Sequence, residues 1–276
     1  MDLPKEKVTR TRAVPTTTTE SPDLKTLIPP RVAAVVQLPS RGVFYSDETL
    51  KGGNVEIMPL IARDEKLLAG MQGDNIDEVI DTLLTRCLVS KIAVDDLIST
   101  DKFYLLVALR ANSYGESYEI PLRCQNEKCK KEGTYTLKLP SDFETVYAPE
   151  DAVEPFECSL PVSKFKVKFR LLRGKDEKAI KAYVQREAKK TKESGDPAFF
   201  YRMAKQIVSI NGQTMEPVEI IDLLENLPIK DSRILQKELS KNLPGLVTVT
   251  SKECQNCKEP IYTSLPMTAE FFRPEY

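Results

Sequence analysis

Apolar residues recur at every second position in some stretches of this chain and at every third or fourth in others. The two periods divide it into strands and helices. Val35, Val36 and Leu38 lead into Pro39-Ser40-Arg41-Gly42, then Phe44 and Tyr45, a loop ending at Gly52-Gly53, and Val55-Glu56-Ile57-Met58-Pro59-Leu60. That order predicts paired β segments joined by turns. Helical spacing follows: Leu67, Leu68 and Met71 behind Asp64-Glu65; Ile76, Val79, Ile80, Leu83, Leu84 and Cys87 from near Asp74-Asn75; and Phe103, Leu106 and Leu109 from about Thr100 to Gly115.

Period two returns over residues 116–172. Tyr118, Ile120 and Leu122 alternate with polar residues, as do Tyr135, Leu137 and Leu139. The clearest strand runs from Lys164 to Leu171, with Phe165, Val167, Phe169 and Leu171 inward and Lys164, Lys166, Lys168 and Arg170 outward. Residues 141–163 carry six acids and no base, so an acidic segment facing that basic strand in one hairpin would satisfy cross-strand pairing.

From 174 to 242 the helical period dominates. Gly174-Lys175-Asp176-Glu177 opens a helix with Ile180, Tyr183 and Val184 as its stripe. Pro197 sits in the first turn of another that carries Phe199, Phe200, Met203 and Ile207. Asn211-Gly212 has the composition of a tight hairpin turn. Pro217 begins the helix of Ile220, Ile221, Leu223 and Leu224. A last helix holds Ile234, Leu235 and Leu239 and is broken at Leu243-Pro244-Gly245. Strands resume at Val247–Thr250 and Ile261–Thr263.

Two segments share one layout. Tyr118–Leu122 leads to Cys124 and Cys129 and on to Thr134–Leu137; Val247–Thr250 leads to Cys254 and Cys257 and on to Ile261–Thr263. Each reads strand, turn with two cysteines, strand. A C-x4-C and a C-x2-C at hairpin tips have the ligand spacing of structural zinc, since tight turns let two sulfurs converge and two such hairpins complete a tetrahedron. Arg123, Lys128, Lys130, Lys131, Lys252 and Lys258 flank the cysteines and would offset the excess negative charge of four thiolates on Zn²⁺. Disulfides within each pair, or unrelated surface thiols, are the other two arrangements this spacing permits. Cys87 and Cys158 lie on apolar faces and read as core thiols.

These elements predict an α+β fold whose β-hairpins form a zinc-ribbon-like site of four cysteines, with an N-terminal β/helical part and an inserted helical subdomain. The expected divisions are a disordered arm over 1–30, the β-turn and helical part over 31–115, the ribbon part over 116–172 with 244–276, and the insertion over 173–243. The arm follows from Thr16–Thr19 and from prolines at 4, 15, 22, 29 and 30.

Composition narrows the chemistry. The 276 residues hold 40 Lys and Arg against 41 Asp and Glu, for a formal net charge of -1, unlike a surface built for polyanions. No run approaches the roughly 20 apolar residues of a membrane span. The N-terminal stretch offers no signal-peptide core, so a reducing cytoplasm is the expected setting. Histidine is absent, which removes imidazole as base, ligand or nucleophile activator. No GxGxxG, GxxxxGK[ST] or GxSxG occurs. Four cysteines would leave no open coordination position, so the site is structural and no catalytic residue is assigned. One charge cluster stands out: residues 164–192 contain twelve bases against three acids. Such a patch reads as internally paired, as a protein interface, or as the surface of a zinc-ribbon nucleic-acid-binding regulator.

The residues Leu38-Pro39-Ser40-Arg41-Gly42-Val43-Phe44-Tyr45, Val55–Leu60, Asp64–Leu68, Ala108–Gly115 and the Cys124/Cys129 pair together resemble the T4-type bacteriophage baseplate protein family, over roughly 33–265. The resemblance implies a baseplate hub or assembly component of a contractile tail. It would be sited in the virion, assembled in the host cytoplasm and oligomeric. Its contacts would be with other baseplate and tail subunits rather than with nucleic acid or membrane. It brings no catalytic residues; only Cys124, Cys129, Cys254 and Cys257 match a site.

Overall fold

The computed structural model describes residues 29–46, 48, 50–72, 75–90, 92–187, 196–241, 243–266 and 269–272. Of the expected arm over 1–30, only the exposed Pro29 and Pro30 fall among them.

Strand β1 (Ala34–Gln37) pairs antiparallel with β2 (Asn54–Ile57). The loop between them, over 38–53, reverses direction where Arg41 and Gly42 both take positive φ, 53° and 79°. Helix α1 (Ala62–Ala69) starts where Asp64 Oδ2 accepts the Ile61 N–H at 3.1 Å. Helices α2 (Ile76–Cys87) and α3 (Ser99–Tyr114) follow, flanking a 3-10 turn at Val94–Asp96. The apolar stripes foreseen in α2 and α3 lie in the first core, where Leu83, Leu84, Leu105, Val107 and Leu109 meet Leu38, Phe271 and Phe272. Within it Arg110, 2% exposed, donates through Nη1 to the carbonyls of Gly115 (2.8 Å) and Ser117 (3.1 Å), its guanidinium over the rings of Tyr118 and Phe271.

The first hairpin joins β3 (Ser117–Arg123) to β4 (Glu132–Lys138), and β5 (Thr145–Val146) pairs with β9 (Gly245–Leu246). A three-stranded sheet orders β6 (Phe156–Ser159), β7 (Lys166–Phe169) and β8 (Ile207–Ile210). Helices α4 (Gly174–Glu187), α5 (Ala198–Gln206), α6 (Pro217–Glu225) and α7 (Ile229–Ser240) accompany it. Val167, Phe169, Met203, Leu224 and Leu235 form this second core. The last hairpin is β10 (Val249–Glu253) with β11 (Pro260–Ser264). The molecule is thus α+β, helices with small antiparallel sheets.

Two details differ from the sequence reading. Ile207 leaves the helix and begins β8, because Ile207-Val208 and Ile210 are β-branched and run straight into Asn211-Gly212, a turn with φ of 51° and 78°. The strand expected over 164–171 is shorter, since Lys164 takes φ 60° in the turn before β7 and Arg170 turns to bind Asp176.

Candidate metal centre

Each cysteine pair sits at the tip of a hairpin, and the two tips are built alike. In the first, Lys130 N–H donates to the Asn126 carbonyl at 3.0 Å; in the second, Lys258 N–H donates to the Cys254 carbonyl at 3.0 Å. Both lysines follow the second cysteine of their pair and both take left-handed backbone, φ 47° and 64°. The bases of the tips close the same way, with Cys124 N–H to the Lys131 carbonyl (2.8 Å) and Cys254 N–H to the Glu259 carbonyl (2.9 Å). This curl aims backbone donors at sulfur: Cys124, Cys129, Cys254 and Cys257 each receive an N–H two residues on, from Asn126, Lys131, Asn256 and Glu259.

The structure brings all four sequence-predicted cysteines to one point. Their sulfurs lie within 4.8 Å of one another, and none is in a disulfide. The short approaches run between hairpins, Cys124 to Cys257 at 3.5 Å and Cys129 to Cys254 at 3.8 Å. A tetrahedron with metal–sulfur bonds of about 2.3 Å has sulfur–sulfur edges of about 3.8 Å, so the donor set fits a tetrahedral thiophilic ion. Leu122, Tyr135 and Ile261 pack beneath the sulfurs as a small separate core.

Electrostatics point the same way. The N–H groups of Cys257 and Asn256 pull the Cys254 thiol down to about 6, and the Lys131 N–H with the Asn256 carboxamide holds Cys129 below its ordinary range. At Cys124 the Asn126 N–H acts downward, yet burial and the neighbouring sulfurs push the thiol up to about 12. At Cys257 the Glu259 N–H also acts downward, and burial with the Cys254 and Cys129 sulfurs leaves the thiol raised. Among themselves the sulfurs therefore support ionisation of some and resist ionisation of all; four thiolates together call for a cation.

Side chains absent from the sequence-based site lock the two tips together. Gln125 Nε2 donates to the Tyr262 carbonyl at 3.0 Å, Gln255 Nε2 donates to the Thr134 carbonyl at 3.4 Å, and the main-chain N–H of Gln255 donates to the Tyr135 hydroxyl at 3.2 Å. Asn256 Nδ2 reaches Cys129 Sγ at 3.4 Å. Gln125 and Gln255 do follow the first cysteine of their pairs, and that repeated position was the available signal. Below the ribbon, Lys252 Nζ binds Asp142 at 2.6 Å and Thr250 Oγ1 donates to the Asp142 carbonyl at 2.7 Å. Burial opposes ionisation of Asp142, but Lys252 and the Lys138 N–H hold its carboxyl below the usual range.

The other predicted features lie elsewhere. Cys87 is fully buried in the first core; Cys158 is half-buried on β6, its thiol raised by burial. Of the twelve bases in 164–192, Lys189, Lys190 and Lys192 lie outside the described residues. Seven of the rest are paired with acids. Lys168 faces Glu157 across β7 and β6, and Arg173 binds Glu154 at 2.9 Å, both partners from the acidic stretch foreseen for them. Arg186 reaches the adjacent Glu187 at 3.6 Å. The remaining partners are others: Arg170 grips Asp176 bidentately (2.7 and 2.9 Å), while Lys175, Lys178 and Lys181 of α4 reach Asp96, Asp81 and Asp77. The cations dock α4 against α2 and the 3-10 turn. No helix among the described residues is long and apolar enough to cross a membrane.

Residues 43–273 match a family model described as T4 bacteriophage base plate protein. No significant match was found among curated proteins or solved structures.

Proposed function

The chain belongs to the T4 bacteriophage base plate protein family, and from that premise we propose that it is a structural or assembly component of the hub region of a contractile-tail baseplate. Its work is to present surfaces to other baseplate and tail subunits in an oligomeric assembly. Cys124, Cys129, Cys254 and Cys257 are its metal ligands, and the ion is a structural Zn²⁺. Bound there, zinc supplies a closed tetrahedral cross-link with no free coordination position. The protein's own part is to aim four backbone N–H groups at the sulfurs and to hold the tips in register through Gln125 and Gln255. Residues 173–243 leave the ribbon part and return to it as an insertion. No residue takes a catalytic role: the one cluster of potential ligands among the described residues is all thiol, with no carboxylate in it.

The observation that carries this reading is the family match over most of the chain, with the sulfur tetrahedron as its anchor. The pairing of seven bases in 164–192 supports a protein-contact role over nucleic-acid recognition. The test is mass spectrometry of purified phage particles together with metal analysis of the purified chain. The proposal expects the chain in the finished tail at stoichiometric amount with one zinc per copy. A chain confined to infected-cell lysate would overturn permanent residence in the particle, and a metal-free chain would overturn the zinc assignment.

A further inference from the structure

The two cysteine hairpins are held to each other by contacts that involve no ion. Gln125 Nε2 reaches the Tyr262 carbonyl, Gln255 Nε2 the Thr134 carbonyl, and the Gln255 N–H the Tyr135 hydroxyl. Leu122, Tyr135 and Ile261 close the floor beneath the sulfurs. Across the tips, Cys124 Sγ lies 3.5 Å from Cys257 Sγ, and Cys129 Sγ lies 3.8 Å from Cys254 Sγ. Each approach sets a half-exposed sulfur, Cys257 or Cys129, beside a buried one, Cys124 (3% exposed) or Cys254 (1%).

A reachable thiolate with a second sulfur at its back is the arrangement that a two-step oxidation requires. The half-exposed thiolate attacks one oxygen of hydrogen peroxide, the O–O bond breaks, hydroxide leaves, and the sulfur becomes a sulfenic acid. The buried thiolate then attacks that sulfur, the S–O bond breaks, a second hydroxide leaves and the S–S bond forms. Each disulfide thus consumes one peroxide and two thiolates and releases two hydroxides. Two such events use all four cysteines, and because thiolates are the metal ligands, the chain gives up its ion. Cys87 lies in the first core and Cys158 packs against the second, so neither joins the exchange.

We infer that the site is redox-sensitive, and that peroxide joins Cys124 to Cys257 and Cys129 to Cys254, so that the tips stay covalently stapled once the ion is lost. The inference rests on the reading of these four cysteines as a zinc site and adds its oxidised state. Pairing across the tips follows the short approaches, between hairpins that Gln125 and Gln255 already hold in register. The link from Cys129 to Cys254 spans 125 positions, and a cross-link over so long a loop restricts the unfolded chain strongly.

The test treats the full zinc-loaded chain with hydrogen peroxide, reads zinc release with a chromophoric chelator, and maps disulfides by tryptic digestion and tandem mass spectrometry after alkylation of free thiols. Trypsin cuts after Arg123 and Lys128 and so separates Cys124 from Cys129, whereas Cys254 and Cys257 share the peptide 253–258. Cross-tip pairing is expected as one three-peptide species, with fragments that assign Cys124 to Cys257 and Cys129 to Cys254, and dithiothreitol should restore the thiols. The oxidised chain should melt at least about 5 °C above the chelator-stripped, reduced chain. A separate peptide 253–258 with its own internal disulfide, any other pairing, or sulfinic and sulfonic acids in place of disulfides would overturn the pairing. Equal melting of the oxidised and stripped chains would overturn the staple, and intact thiols with zinc retained at millimolar peroxide would overturn the redox sensitivity. A chain that carries no zinc before treatment would overturn the zinc reading alone, because the disulfide map of its oxidised thiols still decides the pairing.

Discussion

Tyr45 donates its phenolic hydrogen to Oδ2 of Asp101 at 2.8 Å, although the two lie 56 positions apart. The same hydroxyl accepts the Ile98 N–H at 2.9 Å, and Oδ1 of Asp101 accepts the Ser40 N–H at 3.0 Å. The Pro-Ser-x-Gly-x-x-Tyr turn, of which only Val43-Phe44-Tyr45 fall within the matched span 43–273, is therefore a clasp on the first turn of α3. Asp101 is fully buried and its carboxyl is raised by that burial; Tyr45 is raised by burial too, and next by the charge of Asp101.

Removing the Tyr45 hydroxyl leaves the Ile98 N–H and one Asp101 oxygen buried without that partner. Tyr45→Phe should cost about 2 kcal/mol, read as a lower urea midpoint with an unchanged slope. A midpoint within error of the parent would show that the clasp carries no net stability.

Gly42 is held at φ +79°, and a Cβ there would lie 2.1 Å from the Leu50 carbonyl oxygen and 2.7 Å from the Gly53 nitrogen. Both neighbours are backbone and cannot swing aside. Gly42→Ala should cost about 3 kcal/mol or more. Gly52→Ala, at φ +86° but in open space, should cost only about 1–2 kcal/mol. Thermal melts of the pair separate steric clash from backbone strain; equal losses would contradict the clash.

Cys254→Ser should abolish bound metal and lower the Tm by roughly 10 °C or more, while Cys158→Ser keeps its metal. Inductively coupled plasma analysis beside calorimetry reads both. A Cys254→Ser protein with full metal content and an unmoved Tm would dismiss the ligand assignment.

Asp176 is 2% exposed, and burial alone would raise its carboxyl, but Arg170, the Arg173 N–H and Lys205 hold it below the usual range. The unfolded chain therefore binds this proton first. The resulting stability is fully present above about pH 4, the unfolded value, and is lost as pH falls through the lower folded value. Asp176→Asn should cost about 2–3 kcal/mol at pH 7 and flatten the fall in stability between about pH 4 and pH 2. An unchanged acid limb would mean that other carboxyls dominate it; Asp142 and Asp231, both lowered, act in the same direction.

With seven bases of the 164–192 stretch paired to acids, the chain should show no retention on single- or double-stranded DNA at about 50 mM salt. Phosphate readers bind strongly there and lose affinity steeply by about 200 mM. Salt-sensitive retention would revive the nucleic-acid reading.

The ribbon was legible because its signal is local: each cysteine pair is framed by its own strands, and sulfur chemistry supplies the reason for two distant pairs to meet. Gln125 and Gln255 were not, because a glutamine in a turn has no fixed partner until the second tip arrives. The helix ending at Gln206 was overextended because Met203 and Ile207 stand at helical spacing, and the β-branched run before Asn211-Gly212 outweighed that spacing. Arg110 reads as the polar side of a helix; only packing against Tyr118 and Phe271 reveals a buried cation. The acids that meet Lys175, Lys178 and Lys181 lie about 80 to 100 positions upstream, beyond any cross-strand rule.

Cys129 and Cys254, whose sulfurs come to rest 3.8 Å apart, are separated by 125 positions. At roughly 5–20 residues per second of ribosomal elongation, about 6 to 25 s pass between the appearance of one and the other. For that interval the nascent polypeptide carries half a coordination shell, two thiols that hold an ion weakly and are open to oxidants. Metal loading of this site would then be a late event in biogenesis, after every residue of the second core has been synthesised.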